Sequence, residues 1–356
     1  MPPLPRLLAP RGIRWYNAII MRVKDRLLGY FEQHSDEHVS GERLASRLGV
    51  SRAAVWKAVQ ELKSEGYAFS AVTNKGYRLE QCPEVLSLSG IVSCLSEDFA
   101  SRVHFHEELE STNKTAKLLA MDGAPHGTVV VAARQTGGRG RRGRSFASPE
   151  GGIYLSIILR PSELAMSLDG ALLVTSATAV AISQAISGTC GIEVSIKWVN
   201  DLYFRGKKVC GILSEGVADL ESGGLDCIVV GAGINFSTPV EAFPEELRAI
   251  AGSLFADRTL IPPCASRNRL AATMIEKILS VCVGLEQRRF LDEYRRRSFL
   301  IGRQVLVLAG DSRLPATVLS IDDDCRLVVQ YENGMVEHIG TGDVSIRFAQ
   351  EVRDLT

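Results

Sequence analysis

The hydrophobic period changes along this chain, and that change constrains the fold more than any other feature. Residues 21–83 follow a helical period, with a first helix and then a helix capped by Ser40. A glycine turn leads to the second helix of a helix-turn-helix pair, over residues 52–65 and capped by Ser51. Two short strands joined at residues 74–76 follow this helix. Helix, tight turn, helix and hairpin are the pattern of a winged helix-turn-helix.

The second helix and the hairpin carry the side chains that a DNA interface needs. A recognition helix reads base edges near its end, and nearby cations hold phosphates. The candidate DNA contacts are the cap, the outward side chains of the helix and two hairpin cations: Ser51, Arg52, Trp56, Lys57, Gln60, Lys63, Lys75 and Arg78. Through residue 85 the chain has 13 basic and 9 acidic residues, and this excess of positive charge is too small to decide whether the module binds DNA. A helical oligomerisation or protein-docking module uses the same pattern, so both functions stay open.

The rest of the chain predicts two further domains, which gives an α+β protein of three domains. Residues 86–299 alternate strand-like runs with helical stretches, as in a mixed α/β domain of enzyme size. Residues 300–356 contain five short strand candidates separated by turns, which is typical of a small β-barrel. Residues 1–20 carry four prolines and three arginines, so we expect a disordered tail, or an upstream start with translation beginning at Met21.

Composition excludes several classes of protein. The 41 basic and 41 acidic residues balance, so the chain cannot coat nucleic acid by net charge alone. The eight cysteines form no C-x-x-C pair, and their spread indicates buried thiols in a reducing cytoplasm. Residues 170–192 are uncharged and long enough to span a membrane, but their serines and threonines favour a helix packed inside a domain. His104 and His106 have no third ligand nearby, so we predict no protein metal site.

The densest chemical signal is the segment G-R-G-R-R-G-R over residues 138–144, here called the Arg-Gly loop. It contains G-x-G-x-x-G formally, but a turn-rich stretch follows where a dinucleotide fingerprint would open a helix. Its four guanidinium groups match carboxylate or phosphate, and its glycines let the backbone fold over an anion. An RNA-binding arginine segment and a plain solvated loop are the alternatives.

Three other segments carry weaker signals. In K-W-V-N-D-L, residues 197–202, a lysine leaves a strand candidate beside Asn and Asp, as a phosphate ligand would. In G-A-G-I-N, residues 231–235, small residues permit close backbone approach to a ligand. E-S-T-N, residues 110–113, caps a helix. Taken singly, a surface lysine, a tight turn and an ordinary cap explain them equally well.

Taken together, and with G-I-L-S-E at residues 211–215, these segments resemble the biotin protein ligase family. With the winged helix in front, the chain is similar to the bifunctional form that also represses the biotin operon. The resemblance implies a class II synthetase-like central domain and an SH3-like C-terminal barrel. It also implies that the protein joins biotin to ATP, giving biotinyl-5′-AMP, and passes biotin to a lysine of the biotin carboxyl carrier protein.

The resemblance also implies roles for individual residues. Those against biotin would be Ser111, Thr112, Asn113, Gln135, Arg139, Gly140, Arg141 and Lys197. Those against ATP or the adenylate would be Gly138, Gly140, Gly143, Arg144, Lys197 and Asn235. Asn235 would face the adenine. Lys197, Arg139 and Arg141 form the catalytic set, since the substrate carboxylate is itself the attacking group and catalysis rests on alignment and charge.

Two residues depart from the family pattern, and several properties follow from the resemblance alone. Val199 stands where the family usually has proline, and Phe146 replaces a tryptophan common after the Arg-Gly loop. We expect Mg²⁺ to enter with the nucleotide. Operator DNA, a homodimer when the adenylate is bound, a cytoplasmic location and no membrane association are the remaining expectations. The alternatives are a ligase whose N-terminal module docks or regulates without repressing, and a biotin-sensing transcription factor without turnover.

Overall fold

A computed structural model of the chain describes residues 22–34, 37–64, 66–72, 75–81, 85–218, 224–262, 265–309, 312–340 and 344–348. The predicted tail and the alternative start at Met21 lie outside the described residues. Among those described, the chain forms a small helical unit with a hairpin, a large central unit around one sheet, and a small C-terminal sheet.

The N-terminal unit has the predicted order of helices and strands. Its elements are α1 (Val23–Gln33), α2 (Gly41–Leu48), α3 (Arg52–Ser64), β1 (Ala68–Val72) and β2 (Gly76–Gln81). Ser40 Oγ accepts from Arg43 N at 3.1 Å and Ser51 Oγ accepts from Ala54 N at 3.2 Å, so both predicted caps are present. Gly49 ends α2 at φ 66°, a left-handed conformation that glycine adopts without steric cost. The prediction of a winged helix-turn-helix is confirmed.

The central unit is built on a seven-stranded sheet with helices packed against it. Its strands are β3 (Val103–Leu109), β4 (Val129–Gln135), β5 (Gly152–Leu159), β6 (Ser195–Lys197), β7 (Asp201–Phe204), β8 (Lys207–Ala218) and β9 (Leu225–Asn235). Its helices are α4 (Leu88–Ser93), α5 (Glu97–Ala100), α6 (Thr112–Met121), α7 (Pro161–Leu164), α8 (Leu168–Cys190), α9 (Arg267–Cys282) and α10 (Leu291–Arg297). The strand order is β3-β4-β5-β9-β8-β7-β6, in which β3 and β4 are parallel and the other neighbours antiparallel. The predicted mixed α/β domain is therefore confirmed.

Helix α8 accounts for the long uncharged run. Its length and composition would let it cross a membrane, but 72% of its most apolar window is buried inside the protein. Small and apolar residues on all sides let it pack between α9 and the sheet. The expectation of a helix packed inside a domain is confirmed.

The C-terminal unit is a five-stranded antiparallel sheet. Its strands are β10 (Gln304–Ala309), β11 (Ser312–Ile321), β12 (Leu327–Tyr331), β13 (Val336–Ile339) and β14 (Val344–Phe348). The order is β13-β12-β11-β10-β14, and within the described strands β13 and β14 are edges that do not pair to close a barrel. Val305 and Val318 belong to the same buried cluster as Leu202 of β7. The small sheet therefore packs on the central unit through a shared core.

Candidate active site

A cavity of about 680 Å³ opens where the N-terminus of α6, the Arg-Gly loop, the β6–β7 turn and the middle of β8 and β9 meet. Most of the predicted site residues form its wall: Ser111, Thr112, Asn113, Gln135, Arg139, Gly140, Arg141, Arg144 and Lys197. Segments separated by more than a hundred residues in sequence therefore converge on one place.

The cavity wall is strongly cationic. The basic residues that line it are Arg139, Arg141, Arg142, Arg144, Lys197 and Lys208. Asp201 and Glu246 are the acidic ones among the lining residues, and Asp201 is paired with Lys208 at 2.7 Å. Such an excess of positive charge in a partly enclosed site favours an anionic ligand, because the low-dielectric walls strengthen each interaction.

The start of α6 is tied to β4 through Gln135. Ser111 is the N-cap of α6, and the next backbone amide, Thr112 N, donates to Gln135 Oε1 at 2.8 Å. Gln135 Nε2 donates to Ser148 Oγ at 2.8 Å, and Ser148 Oγ donates to Phe146 O at 3.0 Å. The Gln135 side chain therefore links the N-terminus of α6, which lines the cavity, to the segment that follows the Arg-Gly loop.

Asn113 is held by groups that the sequence analysis did not single out. Asn113 Nδ2 donates to Glu215 Oε2 at 2.7 Å, and Ser156 Oγ lies 2.6 Å from Asn113 Oδ1. Burial raises the pKa of Glu215, but hydrogen bonds from Lys117 and Asn113 outweigh that effect and leave the pKa below its ordinary value. Glu215 therefore stays ionised and orients Asn113. This role depends on the contact between the N-terminus of α6 and β8, which the sequence does not show.

Three glycines of the sheet make room for side chains from elsewhere in the fold. A Cβ on Gly231 would lie 1.9 Å from Asn113 Oδ1. Gly211 and Gly233 face each other across β8 and β9, and Cβ atoms there would lie 2.8 and 2.5 Å from the Phe146 ring. The small residues of G-A-G-I-N therefore make room for Asn113 and Phe146, and Gly231, Ala232 and Gly233 also line the cavity.

Asn235, which is predicted to face the adenine, does not belong to the cavity wall, and its role toward adenine stays a prediction. Asn235 is 4% exposed, and its Nδ2 donates to Gly252 O at 2.9 Å instead of lining the cavity. The segment after β9 folds back over the end of the strand and covers this side chain. Gly138 and Gly143 do not line the cavity either, because Gly138 packs on Ser148 and Gly143 lies at the tip of the loop.

The Arg-Gly loop has a defined, hairpin-like shape. Arg139 and Ser145 form an antiparallel bridge, and Gly140 N donates to Arg144 O at 2.7 Å. The tip at Arg142 and Gly143 has φ of 58° and 71°, so glycine relieves strain at one of two successive left-handed residues. The loop contributes Arg139, Gly140, Arg141, Arg142 and Arg144 to the cavity wall.

The β6–β7 turn brings Lys197 and Asn200 into the same cavity. Lys197 pairs with Asp201 in the register of β6 and β7, and its Nζ lies 5.5 Å from the centroid of the Tyr203 ring. Asn200 Nδ2 donates to Ile212 O at 2.9 Å, and Arg141 Nη1 donates to Asn200 Oδ1 at 3.4 Å. Asn200 therefore lies in the site although valine stands at position 199. Burial lowers the pKa of the Arg141 guanidinium from its ordinary value.

The predicted DNA-contacting residues of α3 and the hairpin are largely exposed. Ser51, Arg52, Lys57 and Lys75 are exposed, and Trp56 is 57% exposed. The other hairpin cation is engaged elsewhere. A bidentate pair with Arg78 lowers the pKa of Glu80 to about 2, so that arginine's charge is largely compensated.

A cationic cavity enclosed by an arginine- and glycine-rich loop, behind a winged helix, defines an enzyme that handles anionic substrates and carries a DNA-binding module. Comparison with known families supports this class. The Biotin/lipoate A/B protein ligase family matches residues 106–235, an HTH domain matches residues 25–78, and the Biotin protein ligase C terminal domain matches residues 300–347.

Individual relatives match over most of the chain. The Bifunctional ligase/repressor BirA of Bacillus spizizenii is 43% identical over 330 residues, 90% of this chain and 97% of that protein. The Bifunctional ligase/repressor BirA of Escherichia coli is 29% identical over 323 residues, 88% of this chain and 95% of that protein. A structure of biotin protein ligase from Aquifex aeolicus in complex with biotin and ATP has a TM-score of 0.57 at 27% identity, covering 70% of this chain and 99% of that one. The chain belongs to the biotin protein ligase family, in its bifunctional ligase/repressor form.

Proposed function

We propose that this protein is an ATP-dependent ligase that converts biotin to biotinyl-5′-AMP and transfers it to a lysine of a biotin carboxyl carrier protein. It is also a repressor of biotin biosynthesis that binds operator DNA, with biotinyl-AMP as corepressor. The observation that carries the proposal is the cationic cavity, into which the lysine and the Arg-Gly loop converge in a chain 43% identical to a bifunctional ligase/repressor.

The chemistry fits the residues of the cavity. A carboxylate oxygen of biotin attacks the α-phosphorus of ATP, and the bond to pyrophosphate breaks. Lys197, Arg139 and Arg141 line the cavity, and they would stabilise the charge that this step gathers on the phosphate oxygens. In the second step the carrier amine attacks the biotinyl carbonyl, loses a proton and expels AMP.

The site also suits Mg²⁺ that arrives on the nucleotide. Bound to the phosphates, the ion would supply charge neutralisation for the departing pyrophosphate. Asp201 and Asn200 offer oxygen ligands in the wall near Lys197. Since Asp201 is paired with Lys208 at 2.7 Å, the phosphates themselves would hold most of the ion.

The first half-reaction can be tested alone. The purified protein should support exchange of labelled pyrophosphate into ATP that depends on biotin, because adenylation is reversible while pyrophosphate is present. Exchange with lipoate and none with biotin would assign a different acid, a relevant outcome because the matched family includes lipoate ligases. No exchange with either acid would favour the alternative that the protein is a biotin-sensing transcription factor without turnover.

Loss of the Arg141 side chain should release the intermediate. In Arg141→Ala the loop loses its hydrogen bond to Asn200 and closes less well, so the free biotinyl-AMP in solution should rise severalfold per adenylate formed. Chromatography of quenched reactions measures this ratio. Arg134→Ala removes an exposed arginine paired with Glu108 and serves as the matched control. Equal leakage from the two variants would refute a closing role for Arg141.

A methyl group on Gly231 should weaken biotin binding. Since a Cβ there would lie 1.9 Å from Asn113 Oδ1, Gly231→Ala must displace Asn113. Overpacking of this kind costs about 1–3 kcal/mol, so Kd for biotin should rise on the order of tenfold or more. Gly188→Ala on α8, where a Cβ meets nothing within 4 Å, is the control. Calorimetry that gave both variants the Kd of the wild-type protein would contradict the placement of Asn113.

The quaternary state and location form the outer part of the proposal. We propose a homodimer when the adenylate is bound, a cytoplasmic location and no membrane association. Sedimentation with and without biotin and ATP tests the first point. A mass that stayed monomeric at saturating ligand and high protein concentration would refute it.

A further inference from the structure

The turn between β6 and β7 has two faces, and one of them points away from the cavity. The cavity face carries Lys197, Asn200 and Asp201. Trp198 and Val199 are 6% and 1% exposed and lie in the core that the central and C-terminal units share, while Trp198 also borders the cavity. Their contacts with that core form the rear face of the turn. Because the turn is short, whatever holds its rear face also sets where the lysine points.

Two buried hydrogen bonds hold that rear face. Trp198 Nε1 donates to Cys325 O at 2.8 Å, and Cys325 belongs to the turn between β11 and β12 of the C-terminal sheet. The Tyr294 hydroxyl of α10 donates to Val199 O at 3.0 Å, and Tyr294 is fully buried. Removing either donor would leave a buried carbonyl without its partner, which is costly enough to shift the turn.

The β11–β12 turn is itself fastened to the central unit. Arg295 of α10 donates through Nε to Ile321 O at 2.8 Å and pairs with Asp323 at 2.7 Å. Arg288 pairs with Asp324 at 2.7 Å. Single exposed ion pairs contribute little, but three attachments to one short turn restrict its movement together. The carbonyl that Trp198 contacts is therefore a fixed acceptor.

We propose that Trp198 and Tyr294 are positioning residues for the adenylation step, and that the C-terminal domain acts on the chemistry through the Cys325 carbonyl. The proposal rests on the function proposed above. Neither donor needs to touch substrate. Each keeps the Lys197 ammonium and the Asn200 amide where the reacting phosphate requires them, and small misplacements of catalytic groups lower rates steeply.

The cleanest test deletes one hydroxyl. In Tyr294→Phe, kcat for biotin-dependent pyrophosphate exchange should fall about tenfold, within the range that misplacement of a catalytic group produces. Biotin Kd should change less than kcat, because Ser111, Thr112 and Gln135 belong to α6 and β4 and do not contact this turn through the bonds described above. Tyr331→Phe is the matched control: it removes a hydroxyl bonded to Glu337 in the same C-terminal sheet and should leave kcat at the wild-type value.

Trp198→Phe tests the other bond and should also lower kcat more than it changes biotin Kd. Melting temperatures of all three variants are measured alongside, because a purely structural role would lower them without changing kcat at saturating ATP and biotin. If both Tyr294→Phe and Trp198→Phe keep the kcat of Tyr331→Phe, the positioning role is refuted while the ligase stands. A wild-type protein without exchange would overturn the proposed function itself, and the positioning role with it.

Discussion

Replacement of Lys197 by alanine should cut the rate of adenylation by at least about tenfold, the loss usual for one group that stabilises transition-state charge. Lys197 ends β6 and lines the cavity together with Asn200 and the arginines of the Arg-Gly loop, so it can add its charge to theirs at the phosphate. The other cations of the cavity should preserve much of the affinity for ATP. The loss should therefore appear mainly in kcat, measured by pyrophosphate exchange.

The matched control for this variant is Lys277→Ala on α9, which removes the same charge from a residue that does not line the cavity. Its exchange rate should equal that of the wild-type protein. Wild-type rates in Lys197→Ala as well would show that the transition state does not depend on this lysine, and its catalytic assignment would have to be abandoned.

Combined replacement of Arg52 and Lys57 by alanine should reduce DNA binding by at least about tenfold and leave ligation unchanged. Both side chains are exposed on α3, Arg52 at its first residue beside the Ser51 cap and Lys57 further along the helix, where cations can hold phosphates. The logarithm of the DNA association constant falls with the logarithm of salt concentration, and each lost phosphate contact should reduce the steepness of this slope by about 0.9. Titrations use a duplex selected by the wild-type protein from a randomised pool, with biotin and ATP present.

Arg313→Ala together with Arg303→Ala makes the same change of net charge in the C-terminal unit, and this control should bind the duplex normally. Equal weakening by both pairs would mean that binding follows overall charge rather than α3. A duplex pool from which the wild-type protein selects nothing would favour the docking module over the repressor.

Local signals predicted the N-terminal unit well. Ser40, Ser51 and Gly49 act through hydrogen bonds and backbone angles within a few residues, so their roles can be read from the sequence alone. The five short strands predicted over residues 300–356 are likewise present as β10 to β14, since turn residues separate them.

Long-range contacts explain what sequence analysis missed. Strand β8 contains glycines and polar residues that lower its strand propensity, and the Phe146 ring and Asn113 explain them only once the loop and α6 pack on the sheet. The position of Asn235 outside the cavity wall was not predictable from the sequence, because the acceptor that orients it, Gly252 O, comes from a later segment folded over the strand. Glu215 was quoted as part of a motif, but its bond to Asn113 depends on the same packing.

The convergence of the cavity residues rests on the family resemblance more than on spacing. Nothing in the distance from Gln135 to Lys197 along the chain says that both line one cavity. The short helices α4 and α10 were also not predicted. Helix α10 nevertheless supplies Tyr294, whose hydroxyl contacts the rear face of the β6–β7 turn. Side chains that act through buried carbonyls leave no periodic signal, which is why the structure was needed to find them.

The most direct test of the central claim is the intact mass of a biotin carrier domain after incubation with this protein, biotin, ATP and Mg²⁺. The account predicts the addition of a single biotin to the carrier, absent when ATP is omitted and absent in a carrier whose acceptor lysine is replaced. A carrier that stays unmodified, in a reaction where an established biotin ligase modifies the same preparation and the test protein is folded, would contradict the account.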